Sequence, residues 1–150
     1  MDQFEFGLHP YAFKPFPIQG WTKKAQQLEK EGYSLIVTCD HFQKEYHDPI
    51  ALLTATAAAT TKIRIGTSVF CVDYRHPVIL AKAAASLHLI SNGRFELGIE
   101  AGDLDFEYHN AGIPFDKPAT RIRRLEEALK IIKSMLTKEE TNFTARARGE

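Results

Sequence analysis

Asp40-His41-Phe42 joins the two side-chain types best suited to moving a proton near neutral pH. A neutral imidazole beside a carboxylate can accept or donate a proton there, and the same pair can equally cap a loop. Gly66-Thr67-Ser68-Val69 sets a glycine where backbone can approach a ligand, or where a small residue eases packing. Arg75-His76 stands before Pro77, a helix-opening residue, so a cation and free N–H groups there could hold a phosphate; His76 could instead be a plain cap. Gly98-Ile99-Glu100-Ala101-Gly102-Asp103-Leu104-Asp105 has glycines that admit a flat ligand to the backbone, without the spacing of a dinucleotide fingerprint. Glu100, Asp103, Asp105 and Glu107 with His41 have the atoms to bind a metal, but no metal-ligand spacing such as HExxH is present, and no metal is expected.

These segments share a placement. Strand-like runs begin near Phe4, Ser34, Ile63 and Phe95, at the spacing of roughly 30 residues typical of a strand-plus-helix unit. The predicted strands are Phe4–Leu8, Leu35-Ile36-Val37, Ile63–Phe70 and Phe95–Ile99. The first helix starts near Trp21, carries Trp21, Ala25 and Leu28 on one face, and stops at Gly32. Asp48-Pro49 opens a second, alanine-rich helix, whose small side chains suit both helix propensity and a close packed interface. His76-Pro77 opens a third, with Ile79, Ala83, Leu87 and Ile90 as the expected buried stripe and Ser91-Asn92-Gly93 as its stop. A loop follows the fourth strand. The fourth helix has the stripe Ile122, Leu125, Leu129, Ile132 and Leu136.

Alternating strands and helices predict an α/β fold with a parallel sheet and right-handed crossovers. Four such units make half of an eight-unit (β/α)8 barrel, which typically takes ~250 residues. The 150 residues are expected to form one domain, 1–150, with 139–150 a frayed tail. Ligands bind beyond the carboxyl ends of parallel strands, where every candidate segment above falls.

Lys plus Arg and Asp plus Glu both number 19, and the basic residues are dispersed, which argues against a nucleic-acid partner. No apolar run approaches the roughly 18 residues of a membrane span, and Met1-Asp2-Gln3 is not a signal-peptide start, so a cytoplasmic protein without a membrane partner is expected. Cys39 and Cys71 fall at the ends of neighbouring strands and are expected to be free thiols.

The stretches LEKEGYSLIVTCDHF, DPIALLTATAAATTKIRIGTSVF, RHPVILAKAAASLHLISNGRFELGI and AGIPFDKPATRIRRLEEALKII, in this order from Phe6 to Phe143, resemble the bacterial luciferase-like superfamily of flavin- and deazaflavin-dependent oxidoreductases. The resemblance implies a barrel that binds reduced FMN or coenzyme F-420 at its carboxyl face and transfers hydride, or activates O₂ as a monooxygenase, on a small organic substrate. It implies that His41 contacts the ring or transfers a proton and that Asp103 is a second catalytic carboxylate. It places a non-prolyl cis peptide between Ser68 and Val69 behind the ring, with Asp40, Gly98, Ala101 and Gly102 also lining the cofactor. The CDHF and GTSV segments look more like the deazaflavin branch. Family dimers pack through helices two and three, so a homo-oligomer is expected through those helices or through open sheet edges.

Two departures stand out. The family pattern at the fourth strand is Gly-Ile-Gly-Ala-Gly, and here Glu100 occupies the middle position. The family's second half is missing, which leaves edge strands with unpaired backbone groups. The alternative expectation is therefore a non-catalytic half-barrel subunit, or a truncated remnant, acting only through protein–protein association.

Overall fold

The run Leu35–Thr38 forms strand β2, with Ile36 and Thr38 buried on one face and Leu35 and Val37 half-buried on the other. A computed structural model describes residues 4–9, 17–44 and 46–137. In chain order the elements are β1 (Gly7–Leu8), α1 (Ile18–Lys30), β2, α2 (Pro49–Ala59), β3 (Arg64–Thr67), β4 (Phe70–Cys71), α3 (Pro77–Ile90), β5 (Phe95–Glu96), β6 (Ile99–Glu100), α4 (Asp105–Ala111) and α5 (Pro118–Thr137). The frayed tail expected over 139–150 lies outside the described residues.

Strands β1, β2, β3 and β5 form one parallel sheet in that order, with Ile36 level with Ile65 and Ile65 level with Phe95. Each step to the next strand is made through a helix. The architecture is an open α/β sheet of four βα units, half of a (β/α)8 barrel. Trp21, Ala25 and Leu28 of α1 are buried as their spacing predicts, packed with Ile36, Leu52 and Ile63. The Trp21 indole N–H donates to Thr56 Oγ1 at 2.7 Å, tying α1 to the alanine-rich α2. The caps also follow the sequence. Asp48 Oδ1 accepts from the Ile50 and Ala51 amides, His76 Nδ1 accepts from the Val78 amide, and Gly32 has φ +87°.

Four expectations need correction. The first strand is shorter than Phe4–Leu8: as an edge it pairs only at Gly7 and Leu8, and Phe4 and Phe6 are exposed. The third and fourth strands are each broken in two. β3 stops at Thr67 and the chain resumes as β4; β5 stops at Glu96 and resumes as β6, and β4 and β6 pair as a small second sheet. The Thr67 hydroxyl ties the two breaks together, accepting from the Gly98 amide (3.0 Å) and donating to the Gly98 carbonyl (2.8 Å). A side chain at 98 would put its Cβ 2.3 Å from the Thr67 carbonyl oxygen, so the approach requires glycine.

The loop after the fourth strand holds a helix, α4, seven residues long and too short to show a period. The stripes of α3 and α5 are rotated from expectation. α3 buries Leu80, Ala81, Ala84 and Leu87, while Ile79 and Ile90 are exposed. A helix apolar almost all round does not declare its face in sequence. On α5, Ala128 and Ile132 are buried, Ile132 against Phe70, Leu80 and Ala81, whereas Ile122, Leu129 and Leu136 are exposed.

Candidate active site at the carboxyl ends of the strands

The chain leaves β2 through Cys39-Asp40-His41, and the neighbouring elements determine what those side chains can do. His41 Nδ1 lies 3.1 Å from Glu107 Oε2, a partner 66 residues away on α4. Glu107 is 2% exposed. It also accepts from the Phe42 amide at Oε1 (3.3 Å) and from the Tyr74 hydroxyl at Oε2 (3.2 Å). His41 itself is partly exposed, at 18% of its side chain: its Nδ1 edge meets a buried carboxylate, and the residue lines the cleft.

Asp40 behaves differently. It is buried, pairs with the Arg75 guanidinium, and accepts from the Cys71 amide at 3.4 Å. Burial pushes its carboxyl above the ordinary range, and Arg75 works against that rise. Arg75 reaches Asp48 with its other arm at 2.7 Å. The cation that the sequence offered to a phosphate is therefore committed to two carboxylates.

α4 is held by the residue after Glu107. Tyr108 is fully buried, and its hydroxyl donates to Asp73 Oδ2 (3.0 Å) and lies 3.2 Å from Cys71 Sγ. Gly102 permits this: it has φ +81°, and a Cβ there would fall 1.8 Å from the Tyr108 oxygen. Burial pushes the Cys71 thiol up to about 11, with Asp73 and Glu100 adding to the rise, and burial also raises Cys39. Both cysteines are free, buried and held as thiols, which leaves them poor nucleophiles.

A cavity of about 160 Å³ opens among these residues. Asp40, His41, Ser68, Val69 and Asp103 line it, as do Cys39, Tyr74, Glu100 and Glu107. Five of the eight sequence-predicted site residues thus meet in one place. Gly98, Ala101 and Gly102 are not among the residues that line it; Gly98 and Gly102 make the close approaches described above. The Ser68–Val69 peptide bond is cis, as the resemblance implies. Burial raises the Glu100 carboxyl, the neighbouring Asp103 charge adds to the rise, and His41 opposes it. Among the described residues no group of three or more His, Cys, Asp or Glu is arranged to hold a metal.

Sequence reasoning placed Glu107 only among possible metal ligands and passed over Tyr74. With α4 unseen, nothing local indicated that Glu107 turns inward under His41. It also passed over His9, at the end of β1. Burial lowers this histidine's pKa despite a hydrogen bond to the Ser68 backbone, and the nearby His41 lowers it further.

Residues 3–149 match the family profile described as luciferase-like monooxygenase. The chain belongs to this family. A luciferase-like relative, the 4-hydroxyprotoasukamycin monooxygenase of Streptomyces nodosus subsp. asukaensis, is 31% identical over 93% of this chain and 39% of its own length. An F-420-dependent glucose-6-phosphate dehydrogenase of Kineococcus radiotolerans is 35% identical over 79% of this chain and 37% of its own. The oxygenating constituent of 3,6-diketocamphane monooxygenase from Pseudomonas putida, solved in complex with FMN, superposes with a TM-score of 0.80 at 24% identity, over 95% of this chain and 42% of that one. Of these similar proteins one is named for coenzyme F-420 and one was solved with FMN, and the chain spans about two fifths of the length of each of the three. No described helix is long and apolar enough to cross a membrane.

The cleft suits the ring of such a cofactor better than its phosphate. The cis peptide edge and His41 border the same space, which can take one edge of a flat ring, though its volume is below the ~300–1,000 Å³ of a complete ligand pocket. The remaining lining is acidic, through Asp40, Glu100, Asp103 and Glu107, and no Lys or Arg is among the described residues that line it.

Proposed function

We propose that this chain forms the ring-binding half of a flavin- or deazaflavin-dependent oxidoreductase acting on a small organic substrate, with His41 as the acid/base. The observation that supports this reading most directly is the meeting of His41, backed by Glu107, with the Ser68–Val69 peptide in one cleft at the carboxyl ends of the strands.

FMN or coenzyme F-420, when bound, supplies the hydride or oxygen chemistry. The protein's part is positional and acid–base. Ser68 and Val69 form the surface on which the ring rests. His41 gives or takes a proton at the nitrogen opposite Glu107. Asp103, exposed at the rim, is the second candidate for proton handling. Exposed Ile79, Leu89 and Ile90 on α3 support self-association on that side. A second reading, a non-catalytic half-barrel acting through association, draws on the acidic lining around Glu100, which repels a phosphate.

Fluorescence titration of the folded protein with FMN and with coenzyme F-420, each oxidised and reduced, separates the readings. Saturable binding of one cofactor at micromolar concentration supports the oxidoreductase and names its chemistry. Absence of binding to both removes it in favour of the association module.

A further inference from the structure

We propose that Glu107 is the positioning residue for His41: it fixes which ring nitrogen carries the proton and so which nitrogen exchanges one with the bound reactants. This rests on the reading of His41 as the acid/base.

Glu107 is one of two carboxylates in the cleft with almost no exposure; the other, Asp40, has Arg75 against it. Glu107 is held by a backbone amide, a tyrosine hydroxyl and an imidazole, from the loop after β2, the turn after β4 and the loop after β2 again. Two of these partners, the Phe42 amide and the Tyr74 hydroxyl, are donors whose hydrogens point at the carboxylate. Its oxygens are therefore acceptors, and the contact to His41 is an Nδ1–H donating to Oε2. A neutral imidazole with its proton on Nδ1 has its lone pair on Nε2. When Nε2 takes up a proton, the imidazolium forms directly against a buried carboxylate.

A merely structural Glu107, burying a polar group under α4, would lend stability without dictating the proton's position. The tautomer distinguishes the two roles without any cofactor. Nitrogen-15 NMR of the full chain, labelled at histidine, reads it directly from the Nδ1 and Nε2 shifts. The expected result is neutral His41 with its proton on Nδ1 in the wild-type protein. In Glu107→Ala, which removes the acceptor, the preference is lost, and in Glu107→Asp it is partly kept. An Nε2–H tautomer in the wild type overturns the proposal, as does an unchanged tautomer in a folded Glu107→Ala. Should Glu107→Ala fail to fold, the wild-type spectrum still decides. The cofactor titration tests the functional reading separately. Cofactor binding with the wrong tautomer removes only the role of Glu107, and the right tautomer without cofactor binding removes only the oxidoreductase.

Discussion

Arg94 and Glu29 lie at the amino ends of the strands, and both are directed at backbone. Arg94 donates to the Ser91, Ala57, Thr60 and Ile63 carbonyls and to Thr60 Oγ1, joining the ends of α2 and α3 to the start of β3. Glu29 Oε1 accepts from the Thr61, Lys62 and Ile63 amides. At the carboxyl ends, charged side chains face one another and a cleft: Asp40 with Arg75, His41 with Glu107, and Glu100 beside Asp103. The first arrangement satisfies helix ends and strand starts, so it works only as a clamp. The second keeps titratable groups grouped around an open space, where burial leaves the Asp40 and Glu100 carboxyls raised, whereas at the clamp end backbone amides outweigh the burial of Glu29. In barrel-type folds the carboxyl face is where chemistry is carried, and the opposite face serves stability.

The largest effect that separates the two ends is kinetic. Replacing His41 by Ala is expected to lower kcat by about 10²–10⁴-fold, the usual contribution of a general acid or base, with the protein still folded though less stable, because buried Glu107 loses a partner. Turnover on a panel that includes glucose 6-phosphate, named for the Kineococcus relative, is the measurement; an unaltered rate would remove His41 from the mechanism. At the other end, Arg94→Leu should cost about 3 kcal/mol of stability by denaturant titration, because several carbonyls lose a charged donor together. Cofactor affinity of the folded fraction should stay the same, and a parallel loss of affinity would mean that the two ends are coupled.

Glu29→Gln is a milder cut, about 1–2 kcal/mol at neutral pH, since amide oxygen still accepts while the charge is gone. The pH dependence gives the sharper comparison. Burial alone would raise Glu29, but the Ile63, Lys62 and Thr61 amides outweigh it and the carboxyl is lowered from 4.5. Its stabilising contribution is present above 4.5 and is lost as pH falls through the lower folded value. Glu100 is raised from 4.5, so its contribution is present below 4.5 and is lost as pH rises through the higher folded value. Stability–pH curves of Glu29→Gln and Glu100→Gln, each set against the wild type, should therefore differ from it with opposite slopes. Equal slopes would show that the two ends do not differ in kind. The smallest effect is on binding. Glu100→Gln should tighten a phosphate-bearing cofactor by about threefold to tenfold at low salt, the scale of one removed charge a few ångströms away in water, and the gain should shrink as salt is added.

Much of this was written locally in the chain. The four βα units, the caps at Asp48 and His76, the Gly32 stop and the Trp21–Ala25–Leu28 face follow from neighbouring residues, because caps and periodicity act over one or two helical turns. The carboxyl-end placement of Asp40, His41, Ser68, Val69 and Asp103 followed from topology alone. The sequence could not indicate which face of an apolar helix would be covered, and α3 and α5 turned accordingly. It also could not show Arg75 bound by Asp40 and Asp48, because whether a cation is available depends on which carboxylates the fold brings within reach.

The residues themselves determined the family, the parallel α/β plan and the groups able to move a proton. Tertiary structure alone decided how those groups are used. The breaks at Ser68–Val69 and Gly98 arise where two strands approach too closely for a side chain, and the His41–Glu107 pair joins residues 66 apart through a helix too short to announce itself. Local propensities set where the chain turns and coils, whereas a hydrogen bond or a desolvated carboxylate exists only once distant segments have excluded water between them.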